Sequence, residues 1–182
     1  MGTKQGVKFY DDAFELDKYK CKYDKSFYFP LWGKIISEYL LKNDKMLELG
    51  CGTGQFAHYL WDKGFINYYG VDFSPVAIST ARGFSKQIFG IADIEKDNEF
   101  YNGEEFKTIL CLETLEHIDD IETISKIKSG ITFIATVPSF DDKGHVRHFK
   151  NMNEITNRYE KFINFDKIEK FDIFWIFKGI IN

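Results

Sequence analysis

The chain has 182 residues, 44% of them hydrophobic, and 24 Lys and Arg against 28 Asp and Glu give a net charge of −4. That length suits one α/β domain built on a single sheet, and the acidic balance argues against a broad phosphate-binding surface, so neither DNA nor RNA is an expected partner. Three cysteines without C-x-x-C spacing suggest no disulfide framework and no cysteine zinc site, and no uncharged apolar run reaches the length of a signal core or membrane span. A soluble, cytoplasmic protein that does not enter the membrane is expected.

Residues 1–43 read as an N-terminal cap or lid and 44–182 as the core of a single domain. Lys8 to Lys25 mixes acids, lysines and aromatics without a clean period, whereas Trp32, Ile35, Ile36, Tyr39 and Leu40 follow helical spacing that stops near Asn43-Asp44. Lys45 to Leu49 predicts the first strand, which runs into Gly50, Gly52 and Gly54. Glycine is needed where the backbone turns sharply and approaches a ligand closely, and the helix that follows offers unpaired N–H groups in its first turn. Phe56, Tyr59 and Leu60 mark that helix's buried face, and Gly64 stops it. A second strand ends in Tyr68-Tyr69-Gly70-Val71-Asp72, and Ser74-Pro75 supplies a hydroxyl N-cap and a first-turn proline for a helix through Arg82.

Gln87 to Ala92 predicts a short third strand ending at Asp93, followed by a polar run, Ile94 to Glu105, of solvated loop or short helix. Phe106 to Leu112 is the fourth strand, Asp119 with Glu122 opens a helix, and Ile131 to Val137 is the fifth strand. Ser139 to Lys150 is irregular. Asn151 with Glu154 opens a helix to about Phe162, and Phe165 to Ile181 alternates as an antiparallel strand pair. This order predicts a doubly wound, mostly parallel sheet with right-handed crossovers, its ligand crevice at the carboxyl ends of the strands.

The glycine loop discriminates between nucleosides. A dinucleotide fingerprint would place its third glycine at position 55, where Gln55 stands. Glu48, two residues before the first glycine, would face a pyrophosphate unfavourably but suits a ligand ammonium group such as that of S-adenosylmethionine. Asp72 stands where a ribose diol can be held. Taken in order, Glu48–Gly54, Asp72 and Asp93 resemble the glycine loop, ribose acid and adenine-side acid of the class I S-adenosylmethionine-dependent methyltransferases, a likeness extending over roughly positions 44 to 140. It implies a Rossmann-like seven-stranded sheet with an antiparallel C-terminal strand, S-adenosylmethionine as cofactor and methyl transfer as activity. It further implies cofactor contacts from Gly50, Cys51, Gly52, Gly54, Gln55, Phe73, Ala92 and Ile94. Leu112-Glu113-Thr114-Leu115-Glu116-His117 resembles the family segment beneath the cofactor's methionine portion, with Leu112, Glu113 and Leu115 lining it.

A sulfonium methyl group passes to a nucleophile by in-line displacement, so positioning dominates, and a hydroxyl acceptor additionally needs a base. The candidate bases are His145, His148 and His117. His117 either touches the acceptor or hydrogen-bonds a backbone carbonyl to shape its loop. Arg147, between the other two, suits a carboxylate or phosphate of the substrate. His145-x-x-His148 beside Asp141 and Asp142 lacks a third ligand at a defined position, so no metal is expected. Among the aromatics of the cap, Tyr23 is placed against the sulfonium by cation–π attraction, and Tyr10, Tyr28 and Trp32 against the acceptor. The expected reaction is O-methylation of a polar small molecule. A saccharide, nucleotide-sugar or glycan is preferred because Gly144 to Phe149 resembles loops of bacterial methyltransferases acting on sugars. N-methylation of an amine metabolite, a non-catalytic S-adenosylmethionine-binding module and a nucleotide-dependent oxidoreductase are the alternatives.

Overall fold

The computed structural model describes residues 2–97 and 106–182 and divides into two compact units, Gly6–Ile94 and a second formed by the N-terminal five residues with Glu95–Asn182. Strands of both belong to a seven-stranded sheet ordered β3-β2-β1-β4-β5-β7-β6.

In the first unit, β1 (Met46–Leu49), β2 (Tyr68–Asp72) and β3 (Ile88–Ile91) are parallel neighbours, with Leu49 opposite Val71 and Val71 opposite Gly90. β1 is apolar apart from Glu48 and buried along its length, as expected for a strand covered on both faces. β3 is the outer strand, where Ile88 and Ile91 are exposed. The helix Gln55–Asp62 turns Phe56, Ala57, Tyr59 and Leu60 inward. It ends at Gly64, whose φ of +80° lets its N–H return to the Trp61 carbonyl at 2.9 Å. Ser74 Oγ accepts the Ala77 N–H at 3.0 Å and Pro75 opens the helix Pro75–Phe84, as the sequence predicts.

The N-terminal segment departs from expectation. Lys8 to Lys25, read as aperiodic, contains the helix Val7–Phe14, a short helix Asp17–Lys20 and a 3₁₀ turn Tyr23–Lys25. Val7, Tyr10 and Phe14 do keep i, i+3, i+7 spacing, but the intervening Phe9 and Ala13 hide it. The following helix spans Phe29–Glu38 and stops well before Asn43.

In the second unit, β4 (Thr108–Leu112) and β5 (Thr132–Pro138) are parallel, and β7 (Phe174–Ile181) pairs antiparallel with both β5 and β6 (Ile163–Phe171). Asp119 caps the helix Asp120–Ser125 by accepting the Glu122 N–H at 3.3 Å. Asn151 caps Met152–Tyr159 by accepting the Glu154 N–H at 3.1 Å, while Glu154 accepts the Lys150 N–H at 2.8 Å. The latter helix ends at Tyr159, whose fully buried ring stacks on Phe177 with centroids 5.5 Å apart. The hairpin turns at Asp172, φ +55°. The polar run Ile94 to Glu105 falls largely outside the described residues. Among the described residues no helix is long and apolar enough to cross a membrane.

Candidate active site

The first unit carries a left-handed glycine turn. After β1 the chain passes through Gly50, Gly52 and Gly54 with φ of +73°, +51° and +72°, a left-handed series that L side chains resist. Gly54 is the N-cap of the helix Gln55–Asp62, and a Cβ there would lie 2.8 Å from the Ala81 Cβ, so the helix cannot seat with a larger residue. A Cβ on Gly52 would press on the Phe14 ring at 3.4 Å. The N-terminal segment is pinned here: Thr53 Oγ1 donates to the Tyr19 carbonyl at 2.6 Å, and the Gln55 amide donates to the Cys21 carbonyl at 2.8 Å. Gln55 thus serves the cap, and Thr53, which the sequence reading passed over, shares that task.

Two buried acids flank the turn. Glu48 is 3% exposed and accepts a hydrogen bond from the Tyr68 hydroxyl. Burial is the main cause that raises its pKa to about 8; the Tyr68 bond opposes the rise and the nearby Asp72 charge adds to it. Asp72 accepts the Gly52 N–H and the Ser74 N–H, each at 2.9 Å, which ties β2 to the glycine turn. Burial raises its pKa to about 6, and these backbone bonds hold it from rising further. Phe73, beyond Asp72, packs edge-on against Tyr10 at 5.4 Å. The Ala92 N–H returns to the Asp72 carbonyl at 3.0 Å, Cys51 and Ile94 are buried, and Asp93 follows β3 half-buried.

Three aromatics expected at the cofactor or acceptor pack on neighbouring side chains in this unit. Tyr23 lies flat on Tyr59, 4.6 Å between centroids, and donates to Asp62 at 2.7 Å, at the far end of the helix from the glycines. That bond is the chief cause that raises its pKa to about 12. Trp32 is a core residue packed at 5.9 Å on Phe56, and Tyr28 packs beside it at 5.8 Å.

The second unit gathers ionisable groups beyond β4 and β5. Glu113 leaves β4 with φ +51°, its N–H held by Thr136 Oγ1 at 2.9 Å. Burial raises its pKa to about 8 against an opposing hydrogen bond with Thr136. Leu112 and Leu115 are buried side chains of this unit. The 3₁₀ turn Leu115–His117 is joined to the loop after β5: the Val146 N–H donates to the Glu116 carbonyl at 2.8 Å, and His117 Nδ1 lies 3.0 Å from the Gly144 carbonyl. Arg147 donates to the Leu115 carbonyl and, at 2.7 Å, to the Ile118 carbonyl, and faces Asp120 at 3.3 Å. Its guanidinium, expected to grip substrate, is thus directed at three acceptors within the chain.

This pairing separates the three histidines. His117 and His145 meet edge to face with centroids 5.0 Å apart, and His145 is 6% exposed. His148 Nδ1 lies 4.0 Å from Asp141. Burial lowers the His117 pKa to about 4, despite the Gly144 bond, so the ring is neutral near neutral pH. Glu116, which the sequence reading passed over, is fully buried and 3.7 Å from His117 Nε2. Its signal is compositional: Glu113, Glu116 and His117 fall within five positions of an apolar strand's end.

A parallel sheet with a left-handed glycine turn after β1 and an acid at the end of β2 defines a nucleoside-binding α/β domain of the methyltransferase class. Residues 25–166 match the family model described as a methyltransferase domain, and the chain belongs to that family. It is 32% identical over 105 residues to a ubiquinone biosynthesis O-methyltransferase of Pelagibacter ubique, covering 53% of this chain and 43% of that protein. The chain thus spans less than half the length of this curated relative. The PH0226 protein of Pyrococcus horikoshii superposes with a TM-score of 0.72 at 18% identity, over 94% of this chain and 99% of that one. The magnesium protoporphyrin IX methyltransferase of Synechocystis PCC 6803, solved with S-adenosylmethionine bound, gives 0.60 at 17% identity, over 98% and 86%. The cofactor is S-adenosylmethionine. The first unit's residues suit it: a left-handed turn with glycine at three of five positions, flanked by two buried carboxylates.

Proposed function

We infer that this domain transfers a methyl group from S-adenosylmethionine to a hydroxyl oxygen of a small molecule. The observation that carries the reading is the left-handed Gly50–Gly54 turn set between buried Glu48 and Asp72. Glu48 would receive the cofactor's ammonium group, Asp72 the ribose hydroxyls and Asp93 the adenine side. When bound, the cofactor supplies an electrophilic methyl group. An acceptor hydroxyl oxygen would bond to that carbon as the carbon–sulfur bond breaks, its electron pair staying on sulfur and the hydroxyl proton passing to solvent. Holding the reactants in line can supply about 7–11 kcal/mol of the barrier.

The relative from Pelagibacter ubique is named for O-methylation in ubiquinone biosynthesis, which supports a small hydroxyl compound. A saccharide, nucleotide-sugar or glycan acceptor rests on the Gly144–Phe149 loop, whose Arg147 is engaged by backbone carbonyls, and is the weaker form of the reading.

Calorimetric titration with S-adenosylmethionine and its demethylated product tests cofactor binding. Mass detection of methyl transfer to phenolic, saccharide and amine acceptors then tests the acceptor class. Binding of both nucleosides with transfer to a hydroxyl is expected. Binding of neither would refute the reading, and transfer to amines alone would replace oxygen by nitrogen.

A further inference from the structure

Three lone-pair donors converge beyond β4 and β5 in the second unit. Glu116, His117 and His145 each present one ligating atom, and these atoms lie within 4.8 Å of one another. Glu116 has a side-chain exposure of 0%, and neither of its carboxylate oxygens has a hydrogen-bond partner. A buried carboxylate without partners is strongly disfavoured, so such a group implies a charge that belongs beside it. The Arg147 guanidinium is directed at the Leu115 and Ile118 carbonyls and at Asp120.

The histidine tautomers are set by backbone. A carbonyl only accepts, so the Gly144 oxygen, 3.0 Å from His117 Nδ1, keeps the proton on Nδ1 and leaves a lone pair on Nε2. That nitrogen faces Glu116 Oε1 at 3.7 Å, too far for a hydrogen bond between them. His145 repeats the arrangement, with Nδ1 3.4 Å from the Phe140 carbonyl. Acceptors thus face acceptors. Metal-bound imidazoles show this pattern, one ring nitrogen donating to a carbonyl while the other ligates.

We propose that Glu116, His117 and His145 bind a divalent first-row transition ion, with the Glu113 carboxylate beside them. Two imidazoles with a carboxylate suit zinc, manganese or cobalt and are a poor set for calcium or magnesium. Two atoms on one ion at about 2.1 Å lie at most about 4.2 Å apart, so the observed spacing closes with sub-ångström shifts. Three protein ligands leave coordination positions open. An oxygen ligand at one of these positions would have its pKa lowered, its proton going to solvent. This departs from the sequence-based expectation of no metal, which considered only His145-x-x-His148.

The test is cobalt(II) titration of the chelator-treated, dialysed chain, followed by visible d–d absorption, with zinc(II) calorimetry in parallel. One equivalent of either ion is expected. Glu116→Gln and His145→Ala are expected to weaken binding by at least about 100-fold, whereas His148→Ala leaves it within about twofold. Circular dichroism and S-adenosylmethionine titration of each variant check that the fold persists. No stoichiometric cobalt or zinc binding by a chain that binds S-adenosylmethionine overturns the metal site alone. So does metal affinity unchanged in folded Glu116→Gln and His145→Ala. Metal binding by a chain that binds neither S-adenosylmethionine nor its product upholds the site and overturns the methyltransferase reading.

Discussion

If Glu48 receives the cofactor's ammonium group, as proposed above, cofactor affinity should rise with pH, because Glu48 must first give up a proton. With a pKa of about 8, Glu48 is ionised in roughly 1% of molecules at about pH 6 and roughly 9% at about pH 7. If the ammonium binds only the carboxylate, affinity climbs about ninefold over that unit, close to the 1.4 kcal/mol of a full proton. Asp72, with a pKa of about 6, passes from half ionised to about nine-tenths and adds roughly twofold. S-adenosylmethionine should therefore bind nearly twentyfold more tightly at about pH 7 than at about pH 6, a range in which an α-amino group stays mostly charged. Calorimetry in buffers of different ionisation enthalpy measures both the affinity and the proton released. Glu48→Gln should keep only the twofold Asp72 component. Adenosine, which has no amino-acid portion, should show that same twofold change. A pH-independent affinity for the intact chain, or a steep dependence surviving in Glu48→Gln, would refute the assignment of Glu48 to the ammonium.

The same proton sets the uncomplexed domain's stability. The folded pKa of Glu48 lies above the unfolded value near 4.5, so the folded state holds the proton longer and stability falls as pH rises from about 5 through about 8; Glu48→Gln should raise the melting temperature at about pH 8 more than at about pH 5. Gly54→Ala places a Cβ 2.8 Å from that of Ala81 at φ +72° and should cost about 2–3 kcal/mol in urea denaturation, with loss of cofactor binding. Arg147→Ala removes charge-assisted bonds to two carbonyls and Asp120 and should cost about 3 kcal/mol, whereas a substrate-gripping arginine would instead raise KM at unchanged stability. Tyr23→Phe loses only the exposed bond to Asp62, so stability should drop by under about 1 kcal/mol and S-adenosylmethionine affinity should hold; a tenfold loss of affinity would return Tyr23 to the cofactor.

What the sequence makes legible is what local chemistry determines. Ser74-Pro75 and the Asn151–Glu154 pair set helix starts because the capping atoms and their N–H partners lie within three residues. The positions of Glu48 and Asp72 beside the glycine turn are readable for a similar reason: each lies in the last two residues of a strand whose apolar run announces it. The helix Val7–Phe14 escapes because Phe9 and Ala13 interrupt the apolar face of Val7, Tyr10 and Phe14, and because the helix buries no residue fully. The surroundings of Trp32, Tyr23 and Tyr28 are not legible because an aromatic ring is equally at home on a ligand or on another ring, and here neighbouring rings lie within 6 Å.

The second unit's cluster escapes for a different reason. Its members are brought together by backbone carbonyls, Gly144 on His117 and Leu115 and Ile118 on Arg147, across separations of 27 to 32 residues. Every residue owns a carbonyl, so such pairings leave no trace in residue identity. Charge then misdirects: Arg147 between two histidines reads as a substrate anchor, although a guanidinium fits three converging acceptors equally well. Glu116 would have been the better guide. An acid three residues after Glu113 and next to His117, directly beyond an apolar strand, either reaches solvent or finds a cation. The fold denies it solvent, and the two histidine lone pairs beside it denote a metal ion rather than an ammonium or guanidinium group as that cation.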